Sequence, residues 1–142
     1  MRVSHIVTRP LITIAAGSTV LDAAKLMVEK NIGLLVIVQG LESTKLVGVI
    51  SERDIIKTVA SGGVLSVPVD DVCTKQVVTV QGSSDVAEAA KAMNKKRIRH
   101  VVVVDDKGKP MGVVSMRDLV GERATLTAIL QSNEKEVFHG GD

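Results

Sequence analysis

A serine and an aspartate three residues apart, with an arginine just before the aspartate, occur twice in this chain. The first set is Ser51, Arg53 and Asp54, preceded by Gly48; the second is Ser115, Arg117 and Asp118, preceded by Gly112. Each follows a short apolar run, so each falls where a strand hands over to a helix. A helix mouth carries unpaired N–H groups and a partial positive charge, which suit a phosphate. The serine hydroxyl adds a donor. The carboxylate accepts from the two hydroxyls of a ribose through charge-assisted bonds. The upstream glycine leaves room for a ligand beside the strand. The chemistry on offer is that of a nucleotide clasp. The same spacing is also that of a capping box, in which the serine oxygen takes the aspartate N–H. The two roles are compatible, and a cap alone needs no arginine.

The elements that position these sets come from a chain that contains itself twice. Thr13, Ser18, Val20, Ala23, Ala24, Lys25 and Met27 recur as Thr79, Ser84, Val86, Ala89, Ala90, Lys91 and Met93, an offset of 66 (79 − 13 = 66). The glycine–serine–aspartate motif recurs at 64 (112 − 48 = 64), so the first copy carries two extra residues in the loop 39–45. Each copy opens with an extended piece, residues 11–14 and 77–80. A helix follows, started by Thr19-x-x-Asp22 or Asp85-x-x-Glu88, both capping-box patterns. Val20, Ala23, Ala24 and Met27 share one helical face, as do their counterparts. Continuous apolar runs at 34–38 and 101–104 predict strands covered on both faces. A second strand and a second helix complete a β–α–β–β–α unit. The predicted organisation is a first repeat at 7–60, a linker at 61–70, a second repeat at 71–123, and a C-terminal helix and mobile tail at 124–142. One repeat is marginal as a lone domain. Two with matching apolar faces predict one α/β (α+β) pseudo-symmetric unit, with helical faces that fit a homodimer.

Composition excludes much else. Of 142 residues, 45 % are hydrophobic and 24 % charged, with a net charge of +2, which gives no strong field for nucleic acid or anionic lipid. Phe138 is the only aromatic residue, so no stacking platform for single-stranded nucleic acid can be built. Any bound base must lie among aliphatic side chains. Cys73 is the only cysteine, so no intramolecular disulfide forms and no multi-thiol zinc site is available. It reads as a small, partly buried hydrophobe. His5, His100 and His139 are scattered, with no Walker loop or HExxH, so a regulatory rather than catalytic chain is expected. The N-terminus lacks the apolar core of a signal peptide and no run is long enough to span a bilayer, so the expected location is the cytoplasm, with no membrane partner.

The two copies resemble CBS domains, units of about 60 residues that occur in tandem as Bateman modules. The resemblance rests on Thr19-Val20-x-Asp22-Ala23-Ala24-x-x-Met27, on Ile98-Arg99-His100-Val101-Val102-Val103-Val104-Asp105, and on Gly112-Val113-Val114-Ser115-x-Arg117-Asp118. It covers the chain from about Val7 to about Arg123, although Leu35 and Val101 stand where the family usually has proline. It implies an adenosine-containing regulatory ligand: AMP, ADP or ATP, with S-adenosylmethionine or NAD as the alternative. It implies that Asp54 and Asp118 hold ribose, that Ser51 and Ser115 lie near phosphate or ribose, and that Thr13 with Ile14 and Thr79 with Val80 enclose the base. Arg99 and His100 are similar to a phosphate-touching basic pair that serves the ribose aspartate of the opposite repeat, here Asp54. The matching positions in the first copy, Gly33 and Leu34, carry no charge, so the two clefts are expected to differ, with the Asp54 cleft favouring phosphates. The target would be a separate, unidentified protein. The competing reading is an oligomerisation module that needs no ligand, its Ser/Asp sets being caps only.

Overall fold

Both copies take the strand and helix order that their periodicity predicts, in a computed structural model that describes residues 1–7, 9–40, 42–43, 45–121 and 130–131. The first repeat contains β1 (Thr13–Ala15), α1 (Val20–Lys30), β2 (Leu34–Val38), β3 (Leu46–Ser51) and α2 (Glu52–Ala60). A one-turn helix, α3 (Val69–Val72), precedes the second repeat of β4 (Thr79–Gln81), α4 (Val86–Lys96), β5 (His100–Val104) and β6 (Pro110–Ser115). Residues 116–121 are helical, as are 130 and 131. The rest of the expected C-terminal helix and the tail from Asn133, with Phe138 and His139, lie outside the described residues. Each repeat builds a three-stranded sheet, β1-β2-β3 and β4-β5-β6. The first strand runs parallel to the second, across a helical crossover, and the third returns antiparallel.

The apolar runs are buried on both faces, as a double-covered strand requires. Alternation sends Leu35 and Ile37 into a core with Val20, Ala23 and Met27 of α1. Val101 and Val103 do the same against Ala89 and Met93 of α4. The opposite faces, Val36 and Val38 with Val102 and Val104, meet in a third cluster that joins the two sheets. The repeats are therefore one pseudo-symmetric body with a valine seam between them.

A reciprocal exchange locks the seam. The N-terminal segment, a single 3-10 turn at Val3–Ile6, packs on the second repeat, and Val3 completes the α4 core. Residues 65–69 pack on the first repeat, and Val69 completes the α1 core. Val86 N–H donates to Met1 O at 2.9 Å, and Val3 N–H to Ser84 O at 2.8 Å. In the matching place Val20 N–H donates to Val67 O at 2.9 Å, and Val69 N–H to Ser18 O at 2.7 Å. Each strap thus satisfies an N–H at the start of a helix that would otherwise lack a partner.

Two local expectations change. Thr19 and Asp22 form the predicted capping box, but Asp85 and Glu88 do not. Asp85 gives one oxygen to the Ala87 N–H and the other to the Met1 ammonium, while Glu88 lies 3.9 Å from Lys91. Nor do Gly48 and Gly112 leave space for a ligand. A Cβ at Gly48 would stand 2.7 Å from Thr74 O, and one at Gly112 would collide with Val7 Cγ1. These glycines let the chain just beyond each strap, at Val7 and at Cys73–Thr74, cross the third strand of each sheet at close range.

Candidate functional site

The serine–aspartate sets are helix caps, and each cap leaves half of its carboxylate uncommitted. Asp54 Oδ2 accepts from the Ser51 N–H at 2.9 Å and from its hydroxyl at 3.1 Å, and Ser51 Oγ accepts the Asp54 N–H at 3.2 Å. Asp118 Oδ2 accepts the Ser115 N–H at 2.8 Å, and Ser115 Oγ accepts the Asp118 N–H at 3.1 Å. In both sets capping uses Oδ2, and Oδ1 takes no hydrogen bond within the cap. A carboxylate locked through one oxygen in the first turn of a helix is a preorganised acceptor through the other.

A cleft of about 1130 Å³ opens where the two repeats meet at the Asp118 end. This is slightly above the roughly 300–1,000 Å³ of ordinary small-molecule sites. Ser115, Arg117 and Asp118 line it from the mouth of the last helical stretch. Arg99 and His100 enter at the start of β5, and Gly33 and Leu34 from the start of β2. Its apolar wall includes Pro10, Leu11, Ile12, Met27, Ile32 and Val113, and no aromatic side chain lies among the described lining residues. Glu52 also lines it; a Cβ on Gly33 would stand 3.1 Å from Glu52 Oε1. The glycine therefore makes room for that carboxylate.

His100 stands opposite Ser115 in the β5–β6 register and shares its strand face with Val102 and Val104, which form the seam. Burial pushes its pKa down, while the Asp118 and Glu52 carboxylates draw it back up and Arg99 again lowers it. Burial is the largest of these influences, so the net direction is down from the ordinary histidine value.

The predicted residues divide between this cleft and other surroundings. Gly33, Leu34, Arg99, His100, Ser115, Arg117 and Asp118 line it; Ser51, Arg53, Asp54, Thr13, Ile14, Thr79 and Val80 do not. The basic pair expected beside Asp54 therefore lines the Asp118 cleft, because adjacent antiparallel strands put His100 across from Ser115. Ile14 is 6 % exposed and belongs to the first core, and Val80 packs against the second. The segment preceding β1 supplies the aliphatic wall instead, through Pro10, Leu11 and Ile12. Arg9 and Glu52 also line the cleft and were not singled out from sequence. Cys73 packs against the first core, and burial pushes its thiol pKa up, the behaviour of an unreactive small hydrophobe.

Among the described residues no group of three or more His, Cys, Asp or Glu could hold a metal ion. No described helix is long and apolar enough to cross a membrane. The family model for the CBS domain matches residues 3–61 and 69–124. A CBS domain protein from Pyrobaculum aerophilum, solved in complex with AMP, superposes with a TM-score of 0.83 at 34 % identity, over 92 % of this chain and 99 % of that one. The CBS domain pair of protein MJ0100, in complex with 5′-methylthioadenosine and S-adenosyl-L-methionine, gives 0.76 at 29 % identity, over 94 % and 98 %. A 17.7 kDa protein of Acidianus ambivalens is 36 % identical over 118 residues, 83 % of this chain and 70 % of that protein.

Proposed function

This chain belongs to the CBS domain family, and on that premise we propose that it is a regulatory sensor that binds an adenine nucleotide (AMP, ADP or ATP) in the Asp118 cleft and acts on a separate partner protein rather than as an enzyme. One observation carries the reading. A single cleft gathers a helix mouth with a half-free carboxylate, a basic pair and an aliphatic wall. The ribose hydroxyls bond Asp118 Oδ1, the base lies among Leu11, Ile12 and Ile32, and the phosphate meets Arg99 and His100. Ser51, Arg53 and Asp54 form the second, pseudo-symmetric clasp. Structural relatives in complex with AMP and with S-adenosyl-L-methionine support an adenosine ligand. The choice of a phosphorylated one rests on the positive charge of Arg99 and Arg117. Val28, Ile56 and Val59 are 83 %, 65 % and 60 % exposed on α1 and α2, apolar surface suited to a second copy in a homodimer, although Val28 and Ile56 also line the cleft.

Thermal shift and calorimetry with AMP, ADP, ATP and S-adenosylmethionine test the reading. Ligand at 100 times its dissociation constant should stabilise the fold by about 2.7 kcal/mol. Asp118→Asn keeps an oxygen for the Ser115 N–H and removes the charge. It should weaken binding by about ten- to a hundredfold, since a hydrogen bond to a charged group is worth roughly 1.5–3 kcal/mol. A folded wild-type chain indifferent to every adenosine compound would leave the Ser/Asp sets as caps and favour the ligand-independent oligomerisation reading.

A further inference from the structure

Asp118 Oδ1, the oxygen that the cap leaves over, already has a neighbour. Arg9 Nη2 lies 3.8 Å from it, with the Arg9 side chain 66 % exposed and that of Asp118 26 %. Arg9 comes from the strap that precedes β1 and lines the same cleft. The arrangement is one-sided. Its counterpart 66 residues on is Lys75, and among the described residues Asp54 makes no salt bridge.

We propose that Arg9 makes the Asp118 cleft discriminate ligands by their phosphate charge. This rests on the nucleotide reading above and adds a residue to it. The ribose hydroxyls and the Arg9 guanidinium claim one atom, because Oδ2 is committed to the Ser115 N–H. A ribose whose two hydroxyls fill both lone-pair sites of Oδ1 displaces Arg9. The displaced guanidinium stays tethered at the cleft wall, which Arg99 and Arg117 also line against the Glu52 and Asp118 carboxylates, so the balance of charge is positive. A nucleoside offers nothing to compensate it. A phosphate does, and Arg binds phosphate through a planar, two-pronged donor set. The swap is easily reversible, since a long, exposed ion pair of this kind contributes at most about a fivefold factor. Arg9 therefore opposes adenosine weakly and favours AMP, ADP and ATP in rising order.

The test is calorimetric titration of the full chain and of Arg9→Gln with adenosine and with ATP. The expected result is a change of opposite sign. Adenosine should bind Arg9→Gln up to about fivefold tighter, as the competing ion pair is lost. ATP should bind about three- to tenfold more weakly, the roughly ten- to hundredfold loss of a charged contact being partly offset by loss of the competing ion pair. Arg9→Lys should restore much of the ATP preference. Equal losses for both ligands would make Arg9 a structural residue and overturn the proposal, as would no change for either. If the wild-type chain binds neither compound, the nucleotide reading itself fails. That outcome is distinct from a wild type that binds both and a variant that shifts them together.

Discussion

At the scale of single residues, the two oxygens of one carboxylate reconcile readings that compete in the sequence. Ser-x-x-Asp at a helix start is a cap and remains one, yet Oδ1 of Asp54 and of Asp118 is left over for other work. Sequence spacing identifies the helix mouth; it cannot say which oxygen the cap consumes. A second residue-scale feature concerns the helix ends. α1 and α4 both terminate in a left-handed residue, Asn31 at φ 54° and Arg97 at φ 54°. Asparagine tolerates that region and arginine does not favour it. Replacing Arg97 with glycine relieves roughly 1–2 kcal/mol of steric cost against roughly 0.5–1 kcal/mol lost to chain freedom. Arg97→Gly should thus stabilise the fold by about 0.5–1 kcal/mol. A urea midpoint that falls or stays put would contradict the assignment of strain to this residue.

At the scale of elements, the strands and helices were legible because their periods are unambiguous. The double-buried β2 and β5, the α1 cap and the helix starts at Ser51 and Ser115 all follow from residue pattern. Two things were not. Cross-strand register is a tertiary property, so the pairing of His100 with Ser115, and hence the cleft that Arg99 and His100 line, could not be read from spacing. The straps were also missed, although a signal for them exists. The 66-residue offset extends upstream and aligns Val3 with Val69, Val7 with Cys73 and Arg9 with Lys75. Gly62, Gly63 and Pro68 mark the region as a connection and mask the fact that Val69 has no exposure. Val69→Ala and Val3→Ala should each destabilise the fold by about 1.5–3 kcal/mol, the worth of two buried methyl groups plus the cavity they leave. Chemical denaturation would show this, and losses below about 0.5 kcal/mol, the size expected at an ordinary surface site, would mean the straps lie on the surface without completing the cores.

At the scale of the whole molecule, the valine seam and the exchanged straps unite two repeats that are individually marginal. The cleft exists only because they meet. Arg9, Gly33, Leu34 and Glu52 come from one side of the seam, and Arg99, His100, Ser115 and Asp118 from the other. On the reading proposed above, a ligand seated in the cleft contacts both repeats at once.

The exchange of straps also makes this chain a natural split protein. Cut between Gly62 and Gly63, the upstream piece would carry the tongue that closes the downstream core, and the downstream piece would carry the tongue that closes the upstream one. Neither half is complete alone and each holds the other's missing part. Co-expressed as separate polypeptides, the halves should purify together as a one-to-one complex. A version lacking residues 1–7 and 64–73 should fall apart.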